Sequence, residues 1–196
     1  MRHLVGTRSV ERLGKERTVC TVTHAGQDST RPSVVVAYDP RWPAEYRRIA
    51  DEVDRALVTV PHTTEHIGST AVPGLAAKPI IDLFAVVELV SQVREAVGAL
   101  GRSGWKHEGD LGLPGRECFI SRMDLPYHHL YVVVGGNHQH RVQTRFRDIL
   151  RTEPAARDEY AHLKMALASL LATDRVAYTE GKSALINDIL MRYQAS

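Results

Sequence analysis

The run Ile80-Ile81-Asp82-Leu83-Phe84-Ala85-Val86-Val87 constrains this chain more than any other feature. It is apolar except for one carboxylate, the pattern of a strand covered on both faces. An unpaired charge in such a strand costs on the order of several kcal/mol, so Asp82 needs a partner. A bound divalent cation is one such partner. Upstream, Gly68-Ser69-Thr70 reads as a sharp turn, and a small-residue linker with Pro73, Gly74 and Lys78 leads from it into the strand. Glycine lets the backbone approach a ligand closely. Successive N–H groups at such a turn, with hydroxyls beside them, can cradle phosphate oxygens. Mg²⁺ or Mn²⁺ takes few protein ligands and keeps waters and substrate oxygens, so Asp82 suits a cation bridging the phosphates of a nucleoside triphosphate. The structural alternative is a tight turn ahead of a buried strand whose Asp82 pairs with Lys78 or an arginine. A P-loop is excluded because its lysine spacing does not occur. Ser69 is not flanked as a nucleophile elbow requires.

The flanking periodicities predict an α+β (α/β-like) fold, a small mixed β-sheet with helices packed on it and a helical C-terminal part. Residues 1–33 read as a disordered N-terminal extension, and residues 34–196 as one domain. Val34 to Tyr38 reads as a strand, and Asp39-Pro40 as the N-cap and first residue of a helix carrying Trp42, Tyr46, Ile49, Val53 and Leu57. After the central strand, Leu89 to Leu100 reads as a helix. A glycine-rich, turn-prone segment surrounds Trp105, and Glu117 to Ser121 and Tyr127 to Val134 read as strands. Three helices follow, with apolar stripes at Val142–Leu150, Tyr160–Leu170 and Leu185–Tyr193.

Composition narrows the function classes. With 43% hydrophobic and 24% charged residues, the chain can bury a core and remain an ordinary globular protein. A net charge of +2 argues against a dedicated nucleic-acid binder. No apolar run approaches the roughly 18 residues of a membrane span, and the N-terminus lacks the apolar core of a signal peptide. Cys20 and Cys118 make no disulfide framework or CxxC pair. A cytoplasmic protein is expected, with monomer and homodimer both open.

Two further groups carry chemistry. In Tyr127-His128-His129-Leu130-Tyr131, strand alternation puts Tyr127, His129 and Tyr131 on one face and His128 on the other. His129 would meet Asp82 if the two strands pair, as metal ligand, general base or phosphate donor. His138 and His140 make a zinc site conceivable, although the spacing fits no standard zinc signature. The basic helical residues Arg145, Arg147, Arg151, Lys164 and Lys182 read either as a solvated face or as charge aimed at phosphates, with Arg147 and Lys182 the best placed. Arg116, on a loop leading into a strand, is similar.

The blocks Tyr38-Asp39-Pro40-Arg41-Trp42, His66 through Asp82, His128-His129-Leu130, Phe146-Arg147-Asp148, Tyr160 with Leu163-Lys164, and Tyr178 with Gly181-Lys182 together resemble the GrpB (UPF0157) family. That family is a branch of the nucleotidyltransferase superfamily related to DNA polymerase β. The resemblance runs from about Val34 to Tyr193. It implies a Gly-Ser turn for the triphosphate, two acids one residue apart on the strand, and a third acid on a neighbouring strand. Here the second acidic position holds Phe84, and the histidine strand stands where the third acid would, with Tyr131 at the family's later histidine position. The implied function is a metal-dependent nucleotidyltransferase acting on a small molecule. Asp82 and His129 would be the catalytic and metal-binding residues, and Gly68, Ser69, Lys78, Arg147 and Lys182 the phosphate contacts. The alternative is a non-catalytic nucleotide- or metabolite-binding module linked to coenzyme A metabolism.

Overall fold

A computed structural model describes residues 32–193; the expected extension over residues 1–33 falls almost wholly outside them. The centre is a five-stranded mixed sheet in the order β1-β2-β5-β4-β3. Its strands are β1 (Thr63–Ile67), β2 (Ile81–Val87), β3 (Lys106–Gly109), β4 (Arg116–Ile120) and β5 (His128–Val134). Strand β2 pairs antiparallel with β1 and parallel with β5, which places Asp82 opposite both Ile67 and His129.

Alternation along β2 divides the molecule. Ile81, Leu83, Ala85 and Val87 face one way, into a core with helix α1 (Trp42–Ala56), helix α2 (Val90–Arg102), Trp105 and Phe119. On the other face Phe84 joins Ile67, Cys118, Tyr131 and Val133 in a smaller apolar group. That second face looks toward the C-terminal helices α3 (His138–Thr152), α4 (Pro154–Ala166), α5 (Leu170–Thr173) and α6 (Arg175–Arg192). Val72 and Leu75, from the linker ahead of β2, are buried among Ile149, Leu150, Ala156, Tyr160, Ile186, Ile189 and Leu190. The linker therefore bolts the helical layer to the sheet.

Four sequence expectations need correction. Val34 to Tyr38 forms only a single bridge, Val36 to Ala77, because Pro79 offers no N–H with which the ladder could continue. Helix α1 starts later than Asp39-Pro40 implies: Arg41 is the N-cap and Pro43 lies in the first turn. Asp39 instead accepts hydrogen bonds from the Arg41 backbone and guanidinium at 2.6–3.1 Å. Strands β1 and β3, neither of them expected as a strand, are the two sheet edges. Their sequences, Thr-Thr-Glu-His-Ile and Lys-His-Glu-Gly, are polar because much of each strand meets solvent.

Candidate functional site

Gly68 sits at φ 71°, ψ −172°, a backbone region that is essentially glycine's alone. The turn is fixed from behind by a chain of hydrogen bonds. Thr70 donates its hydroxyl to the Ile80 carbonyl at 3.0 Å, so its oxygen accepts from His66 Nε2 at 3.0 Å. The His66 ring stacks on Tyr46 with centroids 4.7 Å apart, and burial pushes its imidazole down to about 4. His66 is thus a neutral strut.

The turn presses against Asp82 so closely that a Cβ on Gly68 would lie 2.4 Å from Asp82 Oδ2. The other carboxylate oxygen, Oδ1, is 2.7 Å from His129 Nδ1, as the parallel register of β2 and β5 dictates. Burial works against the Asp82 charge. The His129 hydrogen bond and the nearby Lys78 ammonium outweigh it and hold the carboxyl below its ordinary value.

Between this dyad and the helical layer lies a cavity of about 180 Å³. Gly68, Ser69, Lys78, Asp82, His129, Arg147 and Lys182 all line it, so the turn, the strand carboxylate, the histidine and the chosen basic residues converge on one space. Arg116, Lys164, Tyr131, Tyr160 and Tyr178 line it too. Among the described residues the cavity is lined by the cationic side chains Lys78, Arg116, Arg147, Lys164 and Lys182 and by one carboxylate, Asp82.

The lysines stand on aromatic faces. Lys182 Nζ lies 4.3 Å and Lys78 Nζ 5.5 Å from the Tyr178 ring centroid. Lys164 Nζ lies 4.7 Å from the Tyr160 centroid and donates to the Ala76 carbonyl. Burial, and then the Lys182 charge, push Lys164 down to about 7. Burial and Lys78 push Lys182 down to about 7 as well, against the pull of Asp82. Both lysines are thus buried in one cavity at a cost to their charged forms, which a bound anion would offset.

Arg147 plays a different part. It donates to Glu65 Oε2 at 3.1 Å and the His66 carbonyl at 3.0 Å, and pairs with Asp148 through Nε and Nη2 at 2.7 and 2.9 Å. Its charge is largely spent fastening α3 to β1. The zinc idea also meets the structure. His128 faces away from the cavity, donates from Nδ1 to the Pro126 carbonyl at 2.7 Å and accepts from Trp105 Nε1 at 3.2 Å. His140 accepts from the Gly136 N–H, and its Nε2 lies 2.9 Å from Glu65 Oε1. Among the described residues no three His, Cys, Asp or Glu side chains converge as a metal site.

The carboxylate positions implied by the superfamily likeness are answered in the same way. Phe84 is fully buried, with its ring 6.0 Å from that of Tyr131, and among the described residues Asp82 alone supplies a carboxylate to the cavity. That donor set does not fit a two-metal centre.

Comparison with known proteins agrees with this architecture. The profile of the GrpB protein family matches residues 32–192. The UPF0157 protein PA4798 of Pseudomonas aeruginosa is 35% identical over 174 residues, covering 86% of this chain and 70% of that protein. A dephospho-CoA kinase of Mycolicibacterium paratuberculosis is 26% identical over 191 residues, and the match spans 47% of that longer protein. Among solved structures, the conserved protein GrpB from Enterococcus faecalis superposes with a TM-score of 0.71 at 32% identity, covering 81% of this chain and 96% of that one. The Cid1 poly(U) polymerase superposes with a TM-score of 0.53 at 12% identity over 73% of this chain and 46% of its own, a likeness of fold to a nucleotidyltransferase. The chain belongs to the GrpB family.

Proposed function

We propose that the cavity binds the phosphate groups of a nucleotide or nucleotide-like metabolite, with protein cations in place of a metal pair. The observation that carries this reading is the buried lysine pair, Lys164 and Lys182, beside the Gly68-Ser69 turn. Phosphate oxygens entering there would meet turn N–H groups, the Ser69 hydroxyl and ammonium charges in a medium where each interaction is strong. The Asp82 carboxylate directs the His129 ring, the arrangement in which a carboxylate fixes a base's orientation. Within this reading, His129 would take the proton of an acceptor hydroxyl as that oxygen bonds to the α-phosphorus of a nucleoside triphosphate and pyrophosphate leaves, and Asp82 would steady the resulting imidazolium. The partial match to dephospho-CoA kinase makes coenzyme A and its dephospho form concrete ligands to try.

The test is thermal unfolding and calorimetry with ATP, GTP, CTP, UTP, coenzyme A and dephospho-coenzyme A, each in EDTA and in Mg²⁺. A ligand at a hundred times its Kd stabilises by about 2.7 kcal/mol. At least one should do so in EDTA, and Lys182→Met should abolish the effect. Stabilisation that appears only with Mg²⁺ and disappears in Asp82→Asn would instead show metal-dependent binding at Asp82, as the nucleotidyltransferase reading requires. No response to any ligand would overturn both.

A further inference from the structure

Arg116 is the cation that the phosphate reading leaves unused. It is only 2% exposed, and its Nε and Nη2 are buried without a hydrogen-bond partner among the described residues. A guanidinium does not deprotonate in a protein, so this is a permanent charge with donors left idle. Buried donors are ordinarily paired, and leaving them unpaired is costly.

The geometry gives those donors a direction. Arg116 pairs with Val133 in the β4–β5 register, four residues beyond His129 along β5. The side chain returns over the Tyr131 ring, with Cζ 4.9 Å from its centroid, and lines the cavity. Tyr131 lies next to the dyad, its ring 6.2 Å from that of His129. The lysines occupy different platforms, the Tyr178 and Tyr160 rings. Arg116 shares neither ring with them, so the cavity holds two cationic centres on different aromatic platforms.

We propose that Arg116 is the receptor for a second oxyanionic group, a carboxylate or phosphate on the acceptor molecule, seated beside the phosphate-bearing ligand. A planar fork of N–H donors matches two oxygens of such a group, as a lysine cannot. The Tyr131 ring backs the guanidinium. An acceptor anchored there would lie along β5 from the Asp82–His129 dyad, so the cavity selects an anionic acceptor. The identity of the neighbouring ligand rests on the phosphate reading, whereas the Arg116 site stands on its own contacts.

Equilibrium dialysis of the full chain against labelled orthophosphate separates the two ideas. The parent should bind phosphate at both centres. Arg116→Met should lose one site, weakened by about thirtyfold or more, and keep the other. The double variant Lys78→Met, Lys182→Met should show the converse. Arg116→Lys, which keeps charge without the fork, should bind phosphate at the second site more weakly than the parent. Arg116→Met should melt no lower than the parent in phosphate-free buffer, because no hydrogen bond of Nε or Nη2 is lost. Full phosphate binding in Arg116→Met would overturn the Arg116 assignment alone, and full binding in the lysine variant would overturn the phosphate reading alone. Loss of folding in both Arg116→Met and Arg116→Gln would make the guanidinium a packing element and overturn the assignment.

Discussion

Gly68 is held to glycine by two independent constraints, its positive φ and the Asp82 oxygen 2.4 Å from where a Cβ would stand. Gly68→Ala should therefore cost about 2 kcal/mol or more, combining backbone strain with displacement of the carboxylate. The same shift would break the 2.7 Å contact to His129. Denaturant unfolding would give the stability, and the His129 imidazole resonances in NMR would report the lost pairing; an unchanged spectrum would contradict the close approach. The neutral struts His66 and His128 make a second residue-level prediction. Burial pushes both down to about 4, against about 6.5 when unfolded. Between these values the unfolded chain binds more protons, so stability falls as pH drops from 6.5 to 4. Each group contributes a slope of up to about 1.4 kcal/mol per pH unit inside that window. Urea unfolding of the parent and of His66→Gln at pH 7, 5.5 and 4.5 would measure it, with a shallower acid slope expected in the variant.

At the scale of elements, strand β2 decides the chemistry, and Phe84 is its pivotal position. The residue sits on the same face as Asp82 and packs against Tyr131, within an apolar group that also holds Ile67 and Cys118. Phe84→Asp should lower stability by about 3 kcal/mol or more, because it removes core contacts and buries a carboxylate near Asp82. Mn²⁺ should not restore that loss, which titration followed by electron paramagnetic resonance would check; tight Mn²⁺ binding would show a latent metal site. The sequence made this strand legible because its apolar run, lone acid and preceding Gly-Ser turn each have a distinct physical meaning. Alternation also placed His129 on a face able to meet Asp82, provided β2 and β5 pair, and the parallel register supplies that pairing. The edge strands β1 and β3 were not legible, since polar edges lack the alternation that marks a half-buried strand. Arg116 and Lys164 were hard to single out for a related reason. Their burial arises from how the sheet and helices close on each other, which local patterns of charge do not record. Arg147 illustrates the reverse case, reaching the cavity wall while its donors are committed to Glu65, Asp148 and the His66 carbonyl.

Across the whole molecule, the sheet and the helical layer meet around charge that opposes their closure. Lys164 on α4 and Lys182 on α6 titrate at about 7 in the folded protein, and at about 10.4 in an unfolded chain. Between these values the unfolded state binds more protons, so the folded state gains stability as pH rises from 7 toward 10. The sign reverses above about 10, where burial keeps the Tyr160 and Tyr178 phenols protonated in the fold, Tyr178 up to about 12. Melting between pH 7 and 9.5 should therefore show a rising Tm in the parent and a flatter profile in Lys182→Met. That variant should also be more stable at pH 7, by on the order of 1 kcal/mol, because a buried charge is replaced by an apolar chain of similar reach. Anion binding must act in the opposite sense, since a phosphate group favours the charged lysines and draws protons onto them. Calorimetry of sulfate binding at pH 8, where the ligand has no proton to release, in buffers of different ionisation enthalpy, should show net proton uptake in the parent and less in Lys182→Met. Proton release, or uptake unaffected by the substitution, would mean that the lysines do not face the ligand. The stability sacrificed to the buried lysines would then have no connection with the cavity they line.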